Sequence, residues 1–299
     1  MIKNVCIISD THDWHSEKIC EELIIKNIHA KKLYFSDISV EIKEELVSFH
    51  YLKKPFKFEA VWVRFINQGS IEEITQKLSI LHLMQKVGVY VHNSASIIEK
   101  TVDKFMCSAL FALNNIKTPK TFVLSNKIML KEIVLRELKK GPLLLKPLFG
   151  SQGKGIQIIK DVNDFEKKVN FEKVFYLQEF LGSLNEHSYS DLRVMVSNHQ
   201  VVYAVERKSK SFITNAYQGA NIKTIKISKQ LKKICLKISQ ILDLGYGGLD
   251  FKFFRNDYYL LEVNSIPSWK ISQKFSKKSI AESLVNDFVK IALKSSNCE

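Results

Sequence analysis

The stretch GLDFKFFRNDYYLLEVN, Gly248 to Asn264, carries apolar and aromatic residues on both sides of a short polar turn at Arg255-Asn256-Asp257, the pattern of a β-hairpin. Pairing Phe254 with Tyr258 across that turn sets Asp250 opposite Glu262, with Cβ atoms roughly 4.5–5.5 Å apart in an unbulged register. Asn264, two residues beyond Glu262, points to the same face. Two like charges at that separation repel, so the hairpin needs something positive between them. A hard divalent cation such as Mg²⁺, with its preference for oxygen donors, suits the site. Asp250, Glu262 and Asn264 are therefore the candidate metal ligands. The plainer alternative is an exposed strand face whose acids pair with lysines.

Working outward, the 299-residue chain has room for two or three compact domains. Its 45% hydrophobic and 11% aromatic content argues for a folded protein and against disorder. Apolar runs of about 18 residues are absent, and no signal-peptide pattern follows Met1, so a soluble, cytoplasmic chain with no membrane partner is expected. The five cysteines, Cys6, Cys20, Cys107, Cys235 and Cys298, are odd in number and scattered without a CxxC, which suggests neither a disulfide framework nor a zinc ribbon and suits a reducing compartment. A net charge of +14 draws anions. Most of its lysines lie along helices, however, and belong to solvated faces.

The first hundred residues alternate strand and helix. Strands are expected at Lys3–Ser9, Lys32–Phe35, Glu59–Phe65 and Val89–His92, with helices at Glu17–Asn27, capped by Ser16, and at Ile71–Lys86. Strands separated by helices imply a parallel sheet with helices on its faces. A helix over about Ser96–Asn114 runs into Lys117-Thr118-Pro119-Lys120, where the proline marks a boundary. A helix near Lys131–Lys139 and strands at Leu143–Pro147 and Ile156–Lys160 follow, and Lys229–Leu242 has helical spacing, closed by Gly245.

The loop Gly150-Ser-Gln-Gly-Lys-Gly155 joins two of these strands. It lacks the Gly-Lys-Ser/Thr of a Walker loop and the third glycine of a dinucleotide fingerprint. Glycines let backbone N–H groups close on phosphate oxygens, and Lys146 on the preceding strand can add a point charge. A tight surface hairpin is the alternative. Near the start, Ser9-Asp10-Thr11-His12-Asp13 resembles the opening metal motif of calcineurin-like metallophosphoesterases, but the Gly-Asp and Gly-Asn-His strings of that family are missing. The segment is better read as a loop at the carboxyl end of the first strand, where open α/β sheets bind ligands.

In order along the chain, TVDKF, LLLKPLFGSQGKG, YLQEFL, SDLRVMV, VERKS, TNAYQGA, GLD and LLEVNSIPSW together resemble the ATP-grasp superfamily, and within it the RimK-like amino-acid ligases. The resemblance covers nearly the whole chain. It implies an α/β fold in three parts: an N-terminal parallel α/β domain over 1–95, a linker helix and small lid over 96–177, and a C-terminal α+β catalytic domain over 178–299. ATP would lie between the last two, with Mg²⁺ or Mn²⁺. By that likeness Lys104 and Lys146 would contact phosphates, together with Ser151, Gly153 and Gly155 of the lid loop. Backbone at Gln178, Glu179 and Phe180 would meet adenine, and Asp191 would lie in the nucleotide site. Arg193 and Asn215 would face the phosphates or an acyl phosphate, while Asp250, Glu262 and Asn264 would hold the cation. One departure is that Ile213 stands where many relatives carry arginine, two residues before the asparagine. Arg207, Lys208 and Lys210 are the nearby cations that could replace it.

The activity so implied is ATP-dependent amide formation through an acyl phosphate. The strings EVNSIPSWK, SDTHDWHSEKI and TNAYQGA look most like the branch that adds L-glutamate to tetrahydromethanopterin-type cofactors in one-carbon metabolism. That likeness implies L-glutamate and a pterin-bearing small molecule as partners, no nucleic acid, and self-association left open. A cleft lined by the Asp10–His15 loop, Arg64 and Trp269 would take the acceptor, with Trp14 or Trp269 stacking on the planar ring. The other readings are glutamate addition to a protein tail, a lysine or arginine biosynthetic ligase on a carrier protein, and a non-catalytic ATP-binding switch.

Overall fold

The computed structural model describes residues 2–150, 153–168, 173–215 and 219–295. The N-terminal part contains β1 (Asn4–Ser9), α1 (Trp14–Ile25), β2 (His29–Leu33), β3 (Ile38–Lys43), β4 (Leu46–Tyr51), β5 (Lys54–Pro55), β6 (Ala60–Phe65), α2 (Ile71–Lys86) and β7 (Tyr90–His92). Strands β2-β1-β6-β7 form a wholly parallel sheet. Five successive residues of β1 are buried, as a strand covered on both faces requires. Helix α1 begins at Trp14, and its cap is Asp13, which accepts from the N–H groups of His15 and Ser16, in place of the expected Ser16. The second strand ends at Leu33, and Phe35–Asp37 is a 3₁₀ turn. Strands β3-β4-β5, an antiparallel sheet beside the parallel one, went unforeseen. Ile38, Val40 and Ile42 alternate there with Ser39, Glu41 and Lys43, the period of a one-sided strand.

The expected single helix over Ser96–Asn114 is two helices, α3 (Ala95–Val102) and α4 (Lys104–Leu113). Asp103 breaks it: its backbone is extended, and its carboxylate accepts from Phe105 N–H and Met106 N–H, capping α4. The break puts Lys104 at the first turn of α4. The next sheet, β10-β9-β11-β8, is antiparallel. It is built from β8 (Thr121–Leu124), α5 (Lys127–Glu137), β9 (Leu143–Lys146), β10 (Gln157–Ile159), α6 (Val162–Lys168) and β11 (Phe175–Glu179). Its own small core contains Leu130, Val134, Leu145, Ile159, Phe165 and Leu177. The anticipated boundary at 177/178 falls inside β11.

The last sheet, β14-β13-β12-β15-β16, is antiparallel. It comprises β12 (Tyr189–Ser197), β13 (Gln200–Ser209), β14 (Asn221–Thr224), β15 (Tyr246–Phe254) and β16 (Asp257–Asn264), with α7 (Lys229–Leu242) before β15. Helix α7 has the expected bounds, but its stop is Asp243, at φ 53°, and not Gly245. Gly245 serves another contact: a Cβ there would lie 2.3 Å from His92 Cε1. After α8 (Lys270–Gln273), α9 (Ile280–Ser295) returns to the N-terminal sheet. There Leu284, Val285 and Phe288 share a core with Val5, Ile7 and Trp62.

Candidate active site

The β15–β16 hairpin turns through two residues, Arg255 and Asn256, both at positive φ (48° and 64°), so Phe254 pairs with Asp257 and not with Tyr258. A bulge between Asp250 and Phe251, with Leu261 as the extra residue, then shifts the register by one and restores Asp250 opposite Glu262 and Gly248 opposite Asn264. The three oxygen-bearing side chains therefore share a face, as the sequence suggested, by a different route.

What relieves their repulsion is a pair of arginines. Arg193, paired with Asp250 across β12–β15, grips its carboxylate with Nε on Oδ1 and Nη2 on Oδ2, the latter at 2.7 Å. Arg207, opposite Asp191 on β13, donates to both oxygens of Asp191 at 2.6 and 2.5 Å, and its Nη2 lies 3.2 Å from Asp250 Oδ1. Such fork-on-fork pairs are among the stronger charged contacts. Burial pushes the Asp250 carboxyl up, but Arg193 and Arg207 outweigh it and hold it below the ordinary range. Glu262 accepts no hydrogen bond among the described residues, and burial pushes it up. Among the described residues Asn264 Oδ1 accepts from Ile266 N–H alone, at 3.0 Å, leaving a lone pair.

These donors fit a hard cation. Among the described residues no three His, Cys, Asp or Glu side chains gather as a cage. Mg²⁺, though, is held by one or two carboxylates plus substrate phosphates and waters, not by an all-protein shell.

Lys146 at the end of β9 is buried and donates to Gln178 Oε1 at 2.5 Å. Gln178 is aimed in turn by its amide, which donates to Thr121 Oγ1 and Tyr176 OH. Burial, opposed by Glu262 and helped by Lys104, pushes the Lys146 ammonium down to about 8. Lys104 Nζ donates to the carbonyls of Gly150 (2.9 Å) and Leu148 (3.4 Å), so it reaches the glycine loop from α4. Gly153 and Gly155 have φ of 71° and 75°, the left-handed region that a Cβ disfavours. Ser151 lies outside the described residues. At the end of β11, Glu179 N–H and, just beyond it, Phe180 N–H are already bonded to the carbonyls of Lys120 and Pro142. Those two donors are thus spent within the protein. Gln178, Lys146, Lys104, Glu262, Asp250 and Arg193 form one cluster at the junction of lid and C-terminal sheet. Asp191 joins it as the counter-ion of Arg207, and its Oδ2 also accepts from Thr214 Oγ1 at 2.6 Å. Asn215 follows on the same loop.

The N-terminal residues meet the loop after β16, as expected, but the contact is closed. Arg64 is buried and donates to Asp13, to Tyr246 OH and to the Pro267 carbonyl. His15 Nδ1 lies 2.6 Å from Asp13, and its Nε2 faces Trp269 N–H at 3.0 Å and Lys270 N–H at 3.2 Å. Two backbone donors at Nε2 place the proton on Nδ1, so His15 is a neutral acceptor there. Trp269 is 1% exposed in the core, which rules out its stacking on a ligand. Trp14 is half-buried with Lys270 Nζ 5.8 Å from its ring, and it keeps the stacking role open. Asp10 is a staple: it accepts from Phe35 N–H, Asn67 N–H and Lys77.

Sequence reading missed Thr214 and Asn93, and it placed Asp13 in a ligand-binding loop where the structure has it cap α1 and accept from Arg64. The Asn93 amide bridges Gly245 N–H, Tyr246 and Ser265, fastening β7 to both ends of the catalytic hairpin. For Arg207 the turn at Asn198-His199 was a signal only in part: its register alone would set Glu206 opposite Asp191, and the bulge between Met195 and Val196 shifts the pairing by one to bring Arg207 there.

The chain is 28% identical to the tetrahydromethanopterin:alpha-L-glutamate ligase of Methanococcus maripaludis, across 96% of this chain and 98% of that protein. It is 32% identical to the corresponding Methanocaldococcus jannaschii ligase, across 67% and 70%. Against the coenzyme gamma-F420-2:alpha-L-glutamate ligase of M. maripaludis the figures are 29%, across 69% and 74%. A solved structure of the ATP-grasp ligase PsnB complexed with minimal precursor, Mg and ADP superposes with a TM-score of 0.74 at 18% identity, over 96% of this chain and 98% of that one, and shows the fold. No helix among the described residues is long and apolar enough to cross a membrane. Residues 101–288 match the model of the RimK-like ATP-grasp domain, and the chain belongs to that family of ATP-dependent ligases.

Proposed function

We propose that this protein joins the amine of L-glutamate to the carboxylate of a tetrahydromethanopterin-type acceptor at the expense of ATP. What supports this reading is the match to the M. maripaludis tetrahydromethanopterin ligase, which at 96% of this chain runs through the N-terminal domain, where the acceptor loop lies, whereas the M. jannaschii tetrahydromethanopterin ligase and the F420 ligase match over 67% and 69%.

The chemistry follows from the substrates. A carboxylate is a poor electrophile because its leaving group would be oxide. Attack of a carboxylate oxygen on the γ-phosphorus releases ADP and makes an acyl phosphate. The glutamate amine then adds at the acyl carbon, phosphate leaves with that oxygen, and the amine gives up a proton. Lys146 and Lys104 hold the nucleotide phosphates, and Arg193 and Asn215 face the transferred group. Asp250, Glu262 and Asn264 hold the cation, which when bound neutralises phosphate charge and keeps the transfer in line. With Glu179 and Phe180 N–H spent, the adenine contact falls to the N–H of Leu181, which has no partner among the described residues. Positioning and charge stabilisation dominate over acid–base work. The acceptor ring lies against Trp14, beside Lys270.

The test is incubation of the protein with ATP, Mg²⁺ and glutamate, offering a tetrahydromethanopterin-type acid or a glutamate-ended peptide in parallel, with mass spectrometry of the products. One added glutamyl unit on the pterin supports the reading. Addition to the peptide alone refutes the acceptor, and nucleotide binding without ADP release refutes catalysis.

A further inference from the structure

Four side chains join the loop bearing Asn215 to the face of the catalytic hairpin. Thr214, 8% exposed, donates from Oγ1 to Asp191 Oδ2; Asp191 is forked by Arg207; and Arg207 reaches Asp250 at 3.2 Å. Asp191, Arg207 and Asp250 are all buried, so each hydrogen bond in this relay is costly to leave unmade. Asp250 is the end of the relay that a cation would take, while the loop end carries the apolar Ile213. With an apolar side chain at 213, that residue gives the loop no charged anchor. Thr214 is a link that the loop does make, its hydroxyl bonding outward to Asp191, whereas Ser211 Oγ accepts from Ile213 N–H inside the loop itself.

We propose that Thr214 is a positioning residue that couples the Ser211–Asn215 loop, through Asp191 and Arg207, to occupancy of the Asp250 site. A cation drawn to Asp250 repels both arginines. Arg193 is then free to turn to phosphate, whereas Arg207 is retained by its fork on Asp191. Arg207, withdrawn from Asp250, closes on Asp191, and the hydrogen bond that Thr214 already makes to Asp191 then holds the loop in one place against the acyl phosphate while metal and nucleotide are bound. This inference rests on the ligase reading for its activity arm, but its binding arm does not.

Replacing Asp191 or Arg207 would strand a buried charge and risk misfolding, so the test is Thr214→Val, which keeps the shape and removes the donor, against Thr214→Ser, which keeps the donor. In the binding arm, hydrogen–deuterium exchange is followed over the segment ending at Asn215 with and without Mn²⁺ and ADP. The wild type and Thr214→Ser should slow their exchange on adding the pair. Thr214→Val should lose that response while its ADP affinity stays within twofold and its melting temperature shifts little. In the activity arm, ADP formed per amide should rise at least threefold in Thr214→Val, as water captures the acyl phosphate, and return to the wild-type ratio in Thr214→Ser. Equal exchange responses in all three proteins, or a Thr214→Ser variant that behaves like Thr214→Val, would overturn the proposal. If the binding arm holds and no amide forms with any protein, the substrate reading fails while the coupling stands.

Discussion

Lys146 should take up a proton when nucleotide binds. In the free protein its ammonium is buried beside Gln178, and its pKa falls from 10.5 to about 8. Holding the charged form in the empty site therefore costs about 3 kcal/mol, a cost that phosphate oxygens at the same point remove. At pH 8 roughly half the molecules carry a neutral Lys146, so binding should draw in about half a proton per site, rising toward one at pH 9 and falling to about a tenth at pH 7. The affinity should correspondingly weaken toward tenfold per pH unit above 8. Isothermal titration of ADP, chosen because its own phosphates are fully ionised there, in two buffers of different ionisation enthalpy measures the uptake directly. Lys146→Met is the control and should bind without uptake. The same depression has a stability signature: the unfolded chain holds more protons between about 8 and 10.5, so stability should rise with pH across that window. Uptake near zero at pH 8 to 9, or equal uptake in Lys146→Met, would refute this account.

Asp250→Asn and Glu262→Gln should both abolish Mn²⁺ binding and ADP formation but differ in stability. Asp250→Asn unpairs Arg193 and should cost about 3 kcal/mol in urea unfolding, while Glu262→Gln, at a site that penalises the charge, should cost nothing; equal losses would be a failure. Gly245→Ala drives a Cβ into His92 and should destabilise by about 1–3 kcal/mol or more, and a variant of unchanged midpoint would contradict the packing. Burial holds His15 below the ordinary 6.5 against the pull of Asp13, so the unfolded chain is protonated first and stability should fall as pH drops below 6.5. The drop in melting temperature between pH 7 and pH 5 should shrink in His15→Asn, and an unchanged drop would remove His15 as its source.

The alternation of strand and helix that builds the parallel sheet, the glycine loop between two strands and the facing of Asp250 and Glu262 were legible in the chain, because each depends on local alternation or on residues a few positions apart. Even there the tertiary structure chose the route: the turn is one residue shorter than the apolar pattern suggested, and only the bulge at Leu261, needed to keep both flanks of β16 packed, brings Glu262 back opposite Asp250. Gly245 looked like a helix stop because glycine tolerates that position, yet Asp243 ends the helix and the glycine makes room for His92 from another domain. Trp269 has the chemistry of a stacking platform and lies in the core, since a ring's exposure is set by what packs over it. Which cation neutralises which acid was likewise undecided in the sequence: a chain with 45 lysines and arginines offers many partners, and only the pairing of β12 with both β13 and β15 puts Arg207 between Asp191 and Asp250.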